Sequence, residues 1–256
     1  MSGLAVTWWG HSSTSVELGD RVVATDPLLT TNLFHLRRSP PAPPAEAARA
    51  DLVLVSHLHH DHLHLPSLDR FDDDVPVVVP RGAPRVVRGL DRRPLLEVAP
   101  GEEVEVAGVR VQVLPAHHDG RRSNVSRPPV VVPAVGFRLE RAGRSLWYPG
   151  DTGRLDFTGV GAVDLAAVPI GGWGPSLGDE HLDPAQAAAA VAEVGATWSL
   201  AVHYGTFWPM ALRRVHPRNH RHFFITPPTR FHAAVADLGV ATRPLTPLFG
   251  ERQVLV

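Results

Sequence analysis

The segment Asp51-Leu-Val-Leu-Val-Ser-His57-Leu-His59-His60-Asp61-His62 constrains this chain more than any other. Residues 52–55 read as a buried strand, a short apolar run of Leu and Val. Directly after it come four side chains that can ligate a metal: His57, His59, Asp61 and His62. Imidazole and carboxylate donors together suit zinc, iron, manganese or nickel. With a sharply turning loop, His57 and His59 face one ion while Asp61 and His62 face a second. The plain alternative is a solvated polar loop that happens to be rich in histidine.

Later strand ends argue against that alternative. A strand over 109–114 runs into Pro115-Ala-His117-His118, one over 145–148 into Pro149-Gly-Asp151-Thr152, and one over 199–202 into His203-Tyr-Gly-Thr206. Ligands from several strand ends on one edge of a sheet are how an α/β scaffold assembles a site. A single histidine after a strand is weak evidence; these segments, in order behind the first motif, are strong.

The remaining pattern predicts strands over 4–9, 13–18 and 21–25, with Gly19-Asp20 as a hairpin turn. Further strands are expected over 104–113 (turning at Gly108), 134–140 and 164–170, and the 134–140 and 145–148 strands flank a hairpin at 141–144. Short helices are expected at 46–50 and 83–90. Asp183-Pro-Ala-Gln opens the clearest helix, with Asp183 as N-cap, Pro184 at N1, Gln186 completing a capping box and Gly195 as the stop. A last helix is expected over 229–238, and longer loops at 119–133 and 208–226. No repeat or composition break divides the chain, so one α/β domain over 1–256 is expected.

Composition closes several routes. With 44% hydrophobic and 20% charged residues the chain reads as folded. There is no cysteine, which removes disulfides, thiolate metal sites, iron–sulfur clusters and cysteine nucleophiles. All 25 basic residues are Arg, which removes Schiff-base chemistry and the P-loop lysine. A net charge of −1 offers no basic field for nucleic acid or an anionic membrane. The N-terminus lacks a basic signal-peptide region, and apolar runs such as 128–137 fall short of the ~20 residues of a membrane helix. A cytoplasmic protein without a transmembrane segment is the expectation.

His57-x-His59-x-Asp61-His62, then His118, Gly150-Asp151-Thr152-Gly153 and His203, resemble the metallo-β-lactamase fold superfamily, from Trp8 to about Thr206. Trp9-Gly10-His11-Ser12-Ser13, Asp26-Pro27, Pro115-Ala-His117-His118, His181-x-Asp183-Pro184 and His203-Tyr-Gly-Thr-Phe207 resemble one branch of it. That branch holds L-ascorbate-6-phosphate lactonase and N-acylphosphatidylethanolamine-hydrolysing phospholipase D. The match departs after residue 207, where 208–226 is rich in Arg and His.

The resemblance implies an α/β fold arranged as a four-layer αβ/βα sandwich. It implies His57, His59 and His118 on a first metal, Asp61, His62 and His203 on a second, and Asp151 bridging both. His118 fits the pattern better than His117. His60 is expected to point away, and His64 to be structural. The cofactors implied are two divalent ions, zinc foremost, with Mn2+, Fe2+ or Ni2+ as alternatives.

Such a centre implies a hydrolase that uses a metal-bridging hydroxide on a phosphodiester or a lactone or other ester. Two ions, two aspartates and a hydroxide leave a slight positive balance, which suits a small anionic substrate. Asp61 would orient the nucleophile or take its proton. His181 would lie over the metals and meet the substrate; its bland alternative is to brace the following helix. His11, Trp173 and Arg122 are candidate substrate contacts, with Phe207 and Trp208 beside Trp173 as an apolar wall. For His11 the alternative is a buried hairpin histidine, and for Arg122, with Arg121, a solvated pair. Competing functions are a non-catalytic metal-binding sensor or scaffold of the same fold and a nuclease-type phosphodiesterase. A homo-oligomer is compatible with the sequence.

Overall fold

The computed structural model describes residues 3–122, 132–172, 178–209, 212 and 215–256. Its first sheet contains β1 (Leu4–Trp8), β2 (Thr14–Leu18), β3 (Arg21–Thr25), β6 (Leu52–Leu54), β7 (Val77–Pro80), β8 (Leu95–Val98) and β17 (Arg252–Leu255), in the order β17-β1-β2-β3-β6-β7-β8. The second contains β9 (Glu103–Val106), β10 (Val109–Pro115), β11 (Val135–Arg141), β12 (Arg144–Tyr148), β13 (Leu165–Pro169), β14 (Trp198–Val202) and β16 (Arg243–Pro244), in the order β16-β14-β13-β12-β11-β10-β9. A small third sheet joins β4 (Asn32–Leu33), β5 (Leu36–Arg38) and β15 (Phe207–Trp208).

The layers follow from the two-residue period of a strand. In β13, Leu165 and Ala167 enter the core between the sheets, while Ala166 and Val168 enter an outer core. In β6, Leu52 and Leu54 face inward, and Val53 faces the opposite outer core. Each outer face is covered by helical segments. Over the first sheet lie α1 (Leu65–Leu68), α2 (Ala83–Val86) and the 3-10 turn Ala45–Ala48, contributing Leu68, Ala83, Ala47 and Ala48. Over the second lie α3 (Pro184–Val194) and α5 (Pro227–Asp237), contributing Ala187, Val191, Phe231 and Val235. The result is the four-layer αβ/βα sandwich.

The local signals behave as their chemistry requires. The Asp183 carboxylate accepts from the Gln186 amide at 2.8 Å, and the Gln186 side chain accepts from the Asp183 amide at 3.0 Å. Gly195 ends α3 at φ 73°, in the left-handed region that glycine enters without a Cβ clash. The hairpins at Gly19-Asp20 and Ala142-Gly143 close with Leu18 paired to Arg21 and Arg141 to Arg144.

Three expectations need correction. The helix expected at 83–90 is the single turn of α2, ended by extended backbone at Val87 and followed by a separate 3-10 turn at Leu90–Arg92 that Gly89 enters at φ 83°. The last helix begins earlier, because Pro227 and Pro228 occupy first-turn positions whose N–H groups have no helical partner anyway. The described part of 208–226 is not a loop: it contains α4 (Pro217–His220) and a π-helical turn, Arg221–Ile225. Strands β7, β8 and β17 had no sequence forecast.

Candidate metal centre

The site lies where strand ends of both large sheets meet. Its foundation is Asp26, fully buried directly after β3. One oxygen accepts from the Ser56 amide at 2.7 Å. The other accepts from the Ser56 hydroxyl at 2.5 Å, from His62 Nδ1 at 2.5 Å and from the Tyr148 hydroxyl. Burial, with the Asp26 charge beside it, pushes the Tyr148 phenol well above its ordinary range, so it remains a donor. The Ser56 hydroxyl lies 2.9 Å from His57 Nδ1 and accepts from it while donating to Asp26. One carboxylate thus anchors both ends of the 56–62 loop and turns the Nε2 lone pairs of His57 and His62 inward, the usual work of the groups behind metal ligands.

Two convergences result. His57 Nε2 lies 3.0 Å from His59 Nδ1, which lies 3.1 Å from His118 Nε2. On the other side, His62 Nε2 lies 3.3 Å from Asp151 Oδ2 and 3.8 Å from Asp61 Oδ2, and His203 Nε2 lies 2.9 Å and 3.8 Å from the same two oxygens. The outer nitrogens of His118 and His203 face backbone carbonyls, Glu180 O at 3.1 Å and Gly171 O at 2.9 Å, which fixes the tautomer that keeps Nε2 free.

These groups fit metal ions. Ligands ~2.0–2.1 Å from a tetrahedral ion stand about 3.3 Å from one another, close to the spacings in both clusters. His62 Nε2, His203 Nε2 and Asp151 Oδ1 are buried without a hydrogen-bond partner. Orphaned buried polar atoms are rare, and a shared cation removes the anomaly. His57, His59 and His118 form one candidate group, and Asp61, His62 and His203 belong to another together with His11. Asp151 touches His62 and His203 and also groups with His118 and His181, so it adjoins both clusters.

Charge separates the two halves. Burial lowers His57 and His59 and outweighs the nearby carboxylates, so both are neutral. Burial also opposes charge on His203 and His62, but Asp151 and its neighbours prevail, raising His203 to about 9 and His62 well above the ordinary range. Burial likewise opposes ionisation of Asp61 and Asp151, yet the adjacent imidazoles hold both well below the usual carboxylate range.

Around this set the expected residues fall as follows. His118 joins the trio, whereas His117 contributes its backbone, to Thr152 Oγ1 and the Gly153 amide. His60 turns to the Phe34 ring, and His64 bonds Ser67 Oγ at 2.8 Å. His181 stands over the centre, its Nδ1 3.6 Å from Asp151 Oδ2 and its ring 4.8 Å from that of His118. Gly172 permits this approach: a Cβ there would lie 2.8 Å from the His181 ring. Gly150, at φ 64°, does the same for Asp151, since a Cβ would meet that of Ser56 at 2.4 Å. His11 is buried, with Nε2 2.9 Å from Asp61 Oδ2, and burial pushes it down to about 4. Arg122, a candidate substrate contact, has its Nη1 donating to Leu58 O and Leu63 O at 2.7 and 2.6 Å, which ties it to the 58–63 loop. Trp173 lies outside the described residues.

Sequence reading gave no role to Asp26, Ser56, Tyr148, Arg38 or Gly172. The signal for Asp26 was present in the Asp26-Pro27 pair after a strand. Arg38, buried, donates to the carbonyls of Thr30, Trp9 and Leu28, and so ties the β1–β2 turn to β5. His11, Asp26 and His203 all have positive φ, at 52°, 35° and 62°. Such backbone is costly for residues with a Cβ and gathers at functional sites.

Two stacked sheets sheathed in helices, with histidine and aspartate ligands gathered at one edge, define a metal-site sandwich. The chain belongs to the beta-lactamase superfamily: residues 21–204 match that family's domain. It is 28% identical over 233 residues to N-acyl-phosphatidylethanolamine-hydrolyzing phospholipase D 1 of Caenorhabditis elegans, covering 80% of this chain and 65% of that protein. The chain thus spans less than two thirds of that relative. It is 32% identical over 211 residues to a UPF0173 metal-dependent hydrolase of Nitratidesulfovibrio vulgaris, covering 79% of this chain and 80% of the relative. Its fold is similar to that of Igni18, a metallo hydrolase from Ignicoccus hospitalis, with a TM-score of 0.70, 19% identity and 99% of each chain covered.

Proposed function

We propose that this protein is a metal-dependent hydrolase that holds two divalent ions, zinc foremost, and cleaves a phosphodiester or a lactone or other ester. The observation that carries the reading is the pair of adjoining clusters, His57-His59-His118 and Asp61-His62-His203, with Asp151 between them and buried nitrogens left without partners. The names of the nematode and bacterial relatives support hydrolysis as the class of reaction. Divalent ions bound there lower the pKa of water toward neutrality and polarise a substrate oxygen.

The chain's own side chains supply the remainder. Asp61 stays ionised and can take a proton from the attacking water, and the neutral His11, donating from Nε2, holds it in position. His181 is pushed down to about 4, first by burial, so at neutral pH it is an uncharged imidazole. It therefore serves as a hydrogen-bond donor to a carbonyl or phosphoryl oxygen, where charge builds in the transition state, more readily than as a full acid.

The test is to reconstitute the protein with zinc, manganese or iron, count ions per chain, and screen lactones and phosphodiesters. Two equivalents, with turnover abolished by chelation and restored by metal, are expected. At most one equivalent would remove the binuclear assignment. A fully loaded protein that cleaves no member of either class would remove the hydrolase reading.

A further inference from the structure

Immediately beyond His203 the chain builds a cavity of about 270 Å³ that opens beside the metal centre. His11 and His203 lie at its inner end, and its walls are Tyr204, Phe207, Trp208, Leu212, Phe223 and Phe224. No Asp, Glu or Arg lines it among the described residues. Trp208 carries a buried indole N–H without a hydrogen-bond partner among the described residues. That nitrogen is buried rather than exposed to the cavity, and Thr206, His216 and Asn219 supply polar side chains to the lining, beside a mainly aromatic wall. Charged groups line a neighbouring cavity instead, where Arg230 and Asp183 share the lining with His181.

We propose that this cavity is the subsite for an uncharged alkyl or aryl substituent of the substrate. The inference rests on the hydrolase reading and deepens it: the scissile ester sits at the metals, and its apolar substituent lies along the aromatic wall. Size sets the upper limit. An apolar cavity of about 150 Å³ accommodates benzene, so this one takes a phenyl ring with a tether of about two or three carbons. Four of the walls, Trp208, Leu212, Phe223 and Phe224, come from the segment beyond residue 207 where the family resemblance fades, so the preference they set belongs to this chain.

The test separates binding from turnover. Binding of benzyl alcohol, 2-phenylethanol, 3-phenylpropanol and longer phenylalkanols is measured by titration calorimetry on metal-free protein. Affinity is expected to rise about three- to fourfold per methylene, from ~0.8 kcal/mol each, and to level off once the cavity is full. Leu212→Trp should move that limit to a shorter alcohol, and Phe224→Leu to a longer one. Leu212 is 40% exposed, so the larger ring has room to fold, and Phe224→Leu carries the test alone if it does not. In parallel, γ-alkyl lactones and alkyl nitrophenyl phosphates of rising chain length are turned over by the loaded protein. An optimum at matching length is expected in whichever series is cleaved. Binding indifferent to chain length and to both substitutions overturns the subsite, even with turnover intact. Length-dependent binding without hydrolysis of either series overturns the hydrolase reading and leaves the subsite standing.

Discussion

Asp26 illustrates how much of the centre depends on a side chain that touches no ion. Its carboxylate receives the Ser56 amide and hydroxyl, His62 Nδ1 and the Tyr148 hydroxyl. Removing such a group behind a ligand typically lowers metal affinity about 10- to 100-fold, and Asp26→Ala should do so in a chelator competition. His181→Ala should keep both ions but lose roughly 10²- to 10³-fold in turnover, the usual cost of one oxyanion donor. Because the donor acts on the oxygen that gains charge, the loss should be similar for good and poor leaving groups; loss of an ion would instead make His181 a ligand. Protons report on the same atoms. With His203 raised to about 9, the metal-free imidazole is charged at pH 7.5, and a metal can take its Nε2 only after that proton leaves. Apparent affinity should therefore increase between pH 7 and 9, by up to about tenfold per unit for each displaced proton. Calorimetry in buffers of different ionisation enthalpy would detect the release, and equal heats in all buffers would refute it.

At the scale of elements, local chemistry was readable and distant pairing was not. The capping box of α3 and the hairpin at 141–144 are written within a few neighbouring residues. Strand β7 is hidden because Pro76 and Pro80 bracket three valines, a pattern that reads poorly as strand. Its pairing in parallel with β6 and β8 is specified only by the assembled sheet. Strand β17 pairs with β1 from the far end of the chain, Leu255 opposite Leu4, a match no local window contains. Between 208 and 226 the helical pieces are too short for a 3.6-residue period to register. One element merits a direct measurement. Asp183 caps α3 two residues after His181, and an N-cap is worth typically ~1 kcal/mol. Asp183→Ala should lower the melting temperature by roughly 2–4 °C, and should lower turnover without changing ion stoichiometry, since it loosens the base of His181.

On the scale of the whole molecule, both sheets contribute candidate ligands to one edge. The first sheet leads into His57, His59, Asp61 and His62, and the second into His118, Asp151 and His203. The candidate ligands were legible because each follows a strand and several share one loop; the anchor behind them and the aromatic cavity were not, because they form only when the sheets stack. Ions held as proposed between the sheets would bind the folded state alone. At a concentration of about 100 times Kd, each site should add ~2.7 kcal/mol, or roughly 5–10 °C of melting temperature for a protein of this size. Scanning calorimetry with and without chelator would measure it, and an unchanged melting temperature would mean that no ion spans the sheets. The chain order of these parts has a further consequence. The last candidate ligand is His203, and the aromatic wall starts at Tyr204, so the proposed reactive centre and the aromatic part of the proposed subsite occupy consecutive stretches of sequence. Substrate range can drift through changes in the later stretch while the reactive centre is inherited intact, and a library confined to 204–224 would explore new substrates without rebuilding the chemistry.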